Sequence, residues 1–333
     1  MDPLTHALAS YSLARAAFPR LKPSAQVAVV LAGVAPSADF VAAYFGPAAY
    51  LQFHRAATHS LLAAAVLAIL FAGLAALLRR RDSAAPSLKP VLLAAFLAAL
   101  LHLFLDLCQS ESIAPLWPFS SQRYELDWTA GIDLVILAIL LAGVLLPRLS
   151  GLVTEEIGAR SKAPRGRAGA AIALLLVGGY IGARGVLHTS AIATLNSRSY
   201  GGESPHGVAA LPESVSPFRW HGIVETESAL HAVDLSVGPL PQFDPEAATT
   251  VYKPEPSHAL ETARSSPAAK LFLARVAFPK ASVEKTLTGY NVELRDYSFA
   301  SGAISGRHVA VLVETDSAAH LLRSELIWDS QPK

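Results

Sequence analysis

The chain has 333 residues, of which 52% are hydrophobic and only 16% charged, with a formal net charge of +1. Soluble domains carry about 25% charged residues, which excludes an ordinary water-soluble enzyme, and a disordered chain would need low hydrophobicity and high charge. Cys108 is the only cysteine, so no internal disulfide framework exists, and the near-zero net charge gives no whole-chain case for a nucleic-acid partner.

The charge is unevenly placed. Residues 1–189 carry 15 Lys and Arg against 10 Asp and Glu, whereas residues 190–333 carry 12 against 16. Between Pro23 and Arg79 only Asp39 and Arg55 are charged. The pattern predicts an all-α polytopic transmembrane bundle over 1–189, followed by a smaller α+β or mostly-β extramembrane domain over 190–333.

In chain order, Leu4–Phe18 is a short apolar segment, and Ala25–Phe45 is a second one interrupted by Pro36 and Asp39. Ser60–Leu78 runs without a charge and approaches the roughly 20 residues needed to cross about 30 Å of hydrocarbon. Leu88–Leu107, Gly131–Leu149 and Ala168–Leu187 have similar length, each with ionisable residues near one end. Four spans are strong and six is the best count. Lys and Arg mark the cytoplasmic loops of such a protein. Arg15, Arg20 and Lys22 mark one loop, Arg79, Arg80, Arg81 and Lys89 a second, and Arg148, Arg160, Lys162, Arg165 and Arg167 a third. With these inside, the N-terminus, the His54 region, the loop Cys108–Ala130 and everything after His188 lie outside the cytoplasm. No cleavable signal peptide is visible.

From about Thr189 the composition becomes that of a soluble domain, opening with a Ser/Gly/Pro-rich linker near Asn196–Pro205. Period-two or β-branched runs predict strands at Trp220–Thr226, Ala229–Val237, Tyr290–Phe299, His308–Glu314 and His320–Trp328. Ser266 and Pro267 open a predicted helix that ends before Pro279. Its histidines lack metal spacing and read as surface residues.

Ionisable residues are costly in apolar segments and mark functional sites by default. Those in the first half are Asp2, His6, Asp39, His54, His59, His102, Asp106 and Asp133, all of metal-ligand type. Asp2 and His6 stand four apart, as do His102 and Asp106, so each pair is expected on one helix face. In the orientation fixed by Lys and Arg alone, all eight fall in one outer layer. Carboxylate plus imidazole without thiolate suits Zn²⁺, with Mn²⁺ or Fe²⁺ as alternatives, and the number of ligands points to more than one ion. Such a site activates water and neutralises a phosphoryl oxygen. The structural alternative for His102 and Asp106 is an interhelical hydrogen bond. Arg184, near the outer end of its span, is expected to snorkel. The sequence lacks His-Glu-x-x-His, a P-loop and a Gly-x-Ser-x-Gly elbow.

Met1-Asp-Pro-Leu-Thr-His6, Pro36-Ser-Ala-Asp39, His54-Arg-Ala-Ala-Thr-His-Ser60, His102-Leu-Phe-Leu-Asp106 and Pro115-Leu-Trp-Pro-Phe119 together resemble the YdjM-like family of bacterial membrane-bound metal-dependent hydrolases. The likeness covers roughly residues 1–135 and implies a multi-pass protein of the bacterial inner membrane whose His and Asp residues bind metal. The family pattern is Pro-Asp-x-Asp, so Ser37 stands where a further carboxylate would be. More distantly, the His-x-x-x-Asp pair is similar to zinc phospholipase C and P1-type nucleases. The expected function is hydrolysis of a lipid-linked or membrane-proximal ester, most plausibly a phosphoester. The alternative is a metal-stabilised membrane scaffold or regulator without catalysis. The expected metal ligands are Asp2, His6, Asp39, His54, His59, His102 and Asp106. Asp133 or Asp127 is expected as general base or orienting carboxylate, and Arg55 as the cation that steadies negative charge. The expected partner is a membrane lipid or lipid-linked substrate.

Overall fold

The computed structural model describes residues 1–78, 88–156, 166–300 and 308–329. Of the basic loops that set the orientation, Arg79, Arg80, Arg81, Arg160, Lys162 and Arg165 lie outside the described residues. The chain divides into two compact units: Met1–Asp39, Arg55–Val186 and Ser214–Pro217 form the first, and Phe40–His54, Leu187–Glu213 and Phe218–Lys333 the second.

The helices of the N-terminal part are α1 (Pro3–Ala17), α2 (Pro23–Val34), α3 (Pro47–Phe53), α4 (Leu61–Leu78), α5 (Leu88–Leu107), α6 (Leu134–Glu156) and α7 (Arg167–Asn196). Asp2 caps α1, accepting from the Thr5 amide, and Pro3 fills the first turn, where its missing N–H costs nothing. After α2 the chain tightens into a 3₁₀ helix, Ala35–Phe45. Pro36 forces the change, because it cannot donate back to Ala32 in an α-helical register. Ser60 caps α4, its hydroxyl accepting from the Ala63 amide.

Small residues let the first unit's helices approach closely, as helices do where no hydrophobic force holds them together in lipid. A Cβ on Gly33 of α2 would fall 1.9 Å from Ser10 Oγ of α1. At the α6–α7 crossing, a Cβ on Gly143 would fall 2.4 Å from Ala173 Cβ, and one on Gly169 2.4 Å from Pro147 Cγ. Alanines 14, 25, 28, 72, 75, 94 and 98 fill the core between α1, α2, α4 and α5.

Among the described residues three helices are long and apolar enough to cross a membrane: Pro23–Phe45, Leu88–Leu107 and Arg167–Asn196. A pair bent by 68°, Pro47–His59 with Leu61–Leu77, makes up to a fourth, and Leu134–Leu149 is a shorter apolar helix. Ser60–Leu78, the clearest span in the sequence, qualifies only together with the bent segment before it.

The second unit is built on two antiparallel sheets. The first comprises β1 (Gly207–Pro212), β2 (Arg219–Glu225), β3 (Ala229–Ser236), β4 (Gln242–Phe243) and β5 (Thr249–Tyr252), in the order β1-β2-β3-β4, with β5 also on β3. After α8 (His258–Ser265) and α9 (Pro267–Leu273) come β6 (Pro279–Lys285), β7 (Gly289–Asp296), α10 (Tyr297–Ala300), β8 (His308–Asp316) and β9 (Leu321–Asp329). β6 to β9 form the second sheet in sequence order. Val292, Leu294, Val309, Val311 and Val313 of this sheet pack on Leu260, Ala263 and Phe272, and Leu51 of α3 joins the same core. Residues 40–54 therefore belong to the second unit, although the sequence reads them as part of the membrane half.

Ser266 caps α9 as its sequence suggests, but the helix ends at Leu273 and Pro279 opens a strand. The run Tyr290–Phe299 divides into β7 and α10. Strands β1, β4, β5 and β6 and helix α8 have no counterpart in the sequence prediction.

Candidate metal centre

Three elements of the first unit bring four polar side chains to one buried point. His6 comes from α1, His59 from the 3₁₀ turn Ala57–His59, and His102 and Asp106 from successive turns of α5. Each of the four is at most 2% exposed. His6, His102 and Asp106 each offer a ligand atom within 4.8 Å of the others. The Asp106 carboxylate is the hub: Oδ1 lies 3.0 Å from His6 Nε2, and Oδ2 lies 2.9 Å from His59 Nε2 and 3.2 Å from His102 Nε2. Gln109, one turn beyond Asp106, donates to Oδ1 at 2.8 Å, and the Met1 amino group also meets that oxygen.

The outer nitrogens fix the ring orientations. His102 Nδ1 stands 2.7 Å from the Gly33 carbonyl, which can only accept, so Nδ1 carries the proton. His59 Nδ1 stands 3.0 Å from Asp39 Oδ2, which also accepts from Thr58 Oγ1 at 2.6 Å and the Arg55 amide at 2.8 Å. His102 thereby directs a bare Nε2 inward, beside the Nε2 of His59, whose ring stands between the Asp39 and Asp106 carboxylates. These nitrogens are 3.2 Å apart and both face the Asp106 carboxylate. A carboxylate ringed by imidazole nitrogens away from water could hold a metal ion, beside the Met1 amino group that already meets Asp106. His6 stacks on His102 at 3.7 Å, and its Nδ1 is buried without a hydrogen-bond partner among the described residues. The donor set fits a divalent ion: imidazole nitrogens and one carboxylate, with Asp39 and Gly33 behind them as orienting acceptors.

The other expected residues take different places. Asp2 caps α1 through Thr5, with Thr5 Oγ1 2.5 Å from Oδ2. Asp39 meets His59 from behind. His54 belongs to the second unit, where its ring stacks on Tyr50 at 4.5 Å and its carbonyl accepts from Arg275. Asp133 caps α6, accepting from the Val135 and Ile136 amides and from Tyr180 Oη at 3.1 Å. Asp127 is half-buried in the loop before α6, with φ +55°, and burial pushes its carboxyl up to about 6.

Arg55, also at φ +55°, extends from the centre toward the surface. Its guanidinium is 3.8 Å from Asp106 and 2.8 Å from Glu111, whose side chain is 39% exposed. Arg184 does not snorkel: it is fully buried and donates to the carbonyls of Trp128, Ser216 and Pro217, which replace the headgroups it would otherwise seek. Gly33, Gln109 and Glu111 were not among the expected site residues. Gln109 could have been found from its spacing of three after Asp106, but a backbone carbonyl leaves no mark in a sequence.

Residues 1–191 match the family model described as YdjM inner membrane protein. No curated protein and no solved structure gives a significant match. That description names a location and no reaction. Since the match covers more than half of the chain and contains every residue of the buried centre, this protein belongs to the YdjM inner membrane protein family.

Proposed function

We propose that the protein is a membrane-bound metal-dependent hydrolase of a lipid-linked or membrane-proximal ester, most plausibly a phosphoester. The observation that carries the reading is the convergence of His6, His59, His102 and Asp106, with the Gly33 carbonyl orienting His102 so that its bare nitrogen faces Asp106. Zn²⁺ suits these ligands best, with Mn²⁺ or Fe²⁺ as alternatives. When bound, a divalent ion supplies water activation and neutralisation of phosphoryl charge. Asp39 and the Gly33 carbonyl hold the rings, Arg55 steadies developing negative charge, and Asp127, shifted toward neutrality, suits proton transfer.

The outer-leaflet arrangement has support within the first unit. The Leu61 amide donates to the Pro115 carbonyl, the Ala114 amide to the Arg55 carbonyl, and the Asp2 amide to the Gly131 carbonyl. The start of α1, the start of α4 and the loop between α5 and α6 thus share one level, which we assign to the side away from the cytoplasm. Residues 40–54 pack in one unit with residues after 187, which favours an even number of crossings between them. Helices α4 to α7 supply four, and α1 and α2 complete six. The C-terminal domain then lies outside the cytoplasm.

Elemental analysis of the purified full chain tests the reading. At least one zinc, manganese or iron per chain is expected, together with phosphodiesterase or esterase activity on lipid substrates that His102→Ala abolishes. Trace metal in the native protein, or activity unchanged in His102→Ala, overturns it.

One observation favours a second reading, a metal-fastened scaffold without catalysis: the converging side chains are at most 2% exposed, as in closed structural sites. Cobalt substitution separates the two. A spectrum altered by azide reports an open coordination position and supports catalysis, whereas an indifferent spectrum supports the scaffold.

A further inference from the structure

The second unit contains a cavity of about 210 Å³ where its two sheets meet edge to edge. One wall comes from β5, an edge strand of the first sheet, and the other from β6, an edge strand of the second. Leu230, Val251 and Ala281 form an apolar floor, and Pro254 and Pro279, with fixed φ, stiffen the two walls. The size is below the roughly 300–1,000 Å³ of sites for drug-sized ligands, so the occupant is a small group.

Its charge is one-sided. Lys253, Arg264 and Lys280 line it against a single acid, Glu225. Glu225 is already neutralised, since Lys253 Nζ lies 2.7 Å from its carboxylate and also donates to the Thr226 carbonyl at 2.7 Å. Arg264 and Lys280 have no carboxylate within ion-pair distance among the described residues. Two cations outside any ion pair, although Asp329 acts on Lys280 at longer range, therefore line one small cavity. A guanidinium fork beside a lysine point charge matches a compact dianion with several acceptor oxygens. Tyr252, 75% exposed, stands at the rim, where it can contact whatever the anion is attached to.

We infer that this cavity binds a phosphate monoester group, held by Arg264 and Lys280 and carried either by a free phosphorylated molecule or by a lipid headgroup. The inference is independent of the metal centre, and neither its success nor its failure bears on the hydrolase reading.

Titration of the detergent-solubilised full chain with inorganic phosphate, followed by calorimetry at constant ionic strength, tests it. Saturable binding is expected, weakened about tenfold by Arg264→Ala or Lys280→Ala, the loss of one charge-assisted contact. The charge-conserving Arg264→Lys and Lys280→Arg should retain binding, and Lys270→Ala, an equal charge change on exposed α9, should leave it unaltered. Competition by short-chain phosphatidic acid and by glycerol 3-phosphate then assigns the source: stronger displacement by the first marks a headgroup site, and stronger or equal displacement by the second a site for free phosphorylated molecules. No saturable phosphate binding, or an affinity unchanged in the double variant R264A/K280A, overturns the inference.

Discussion

Histidine–carboxylate pairs occur in both units under opposite conditions. His6, His59 and His102 meet Asp106 in the first unit at 1–2% exposure. In the second, His258 meets Glu261 at 3.6 Å and His320 meets Asp316 at 3.0 Å, with imidazoles 93% and 79% exposed. Water screens the exposed pairs and completes their hydrogen bonding, so they ask nothing of their neighbours. Removed from water, the same groups must be neutralised from nearby, and the Met1 amino group, Arg55 and any ion held by the imidazoles are the positive charges placed to do it. The chemical meaning of a His–Asp pair thus lies in its surroundings more than in its spacing.

The contrast can be broken most directly at its hub. Asp106→Ala removes the carboxylate shared by three imidazoles and is expected to abolish metal binding and cost about 3–5 kcal/mol of stability; full metal content by elemental analysis would place the demand for a cation elsewhere. Next in size is Asp39→Asn. An amide cannot accept from His59, Thr58 and Arg55 as a carboxylate does, so chelator competition should show metal affinity lowered about 10–100-fold. An unaltered affinity would remove Asp39 from the centre.

The pH dependence of two carboxyls sharpens the comparison by sign. Burial raises Asp127 from 3.8 to about 6, so its contribution to stability is full below pH 3.8 and is lost as pH rises through about 6. Glu203 in the second unit is lowered from 4.5 to about 2 by hydrogen bonds from Ser228 and Thr226, so its contribution is present above pH 4.5 and lost as pH falls through about 2. As pH rises, thermal unfolding should therefore show the native chain losing stability relative to Asp127→Asn between pH 3.8 and about 6, and gaining stability relative to Glu203→Gln between about 2 and 4.5. Parallel curves would show that neither surrounding acts as described. The smallest effect belongs to His258→Ala and His320→Ala, each expected to change stability by less than about 0.5 kcal/mol at neutral pH, as calorimetry can verify.

Much of the centre is visible in the sequence because charge is so scarce there. Helix α5 spans Leu88–Leu107 as its hydropathy predicts, and His102 and Asp106 share a face by their spacing of four. The same spacing misleads at Asp2 and His6. Asp2 precedes the first helical residue, so it lies outside the helical phase and turns to the Thr5 amide, while His6 alone reaches the centre. His54 is the C-cap of α3 and follows that helix into the second unit. Arg184 is held by carbonyls at 128, 216 and 217, partners too distant for any local pattern to announce. Two of the strands that escape notice, β5 and β6, lie at sheet edges, where half-exposed Thr, Ser, Glu and Lys blur the alternation that marks a buried strand.

Helix α3 carries a consequence for biosynthesis. Leu51 completes a core whose last strand, β9, is encoded roughly 270 residues later. At about 5–20 residues per second, Leu51 leaves the ribosome some 15–55 seconds before β9 exists. During that interval four further helices, α4 to α7, are made while an unfinished apolar segment waits for its partners. The order of translation is therefore the reverse of the order of need, and the second unit can close only when the whole chain has been made.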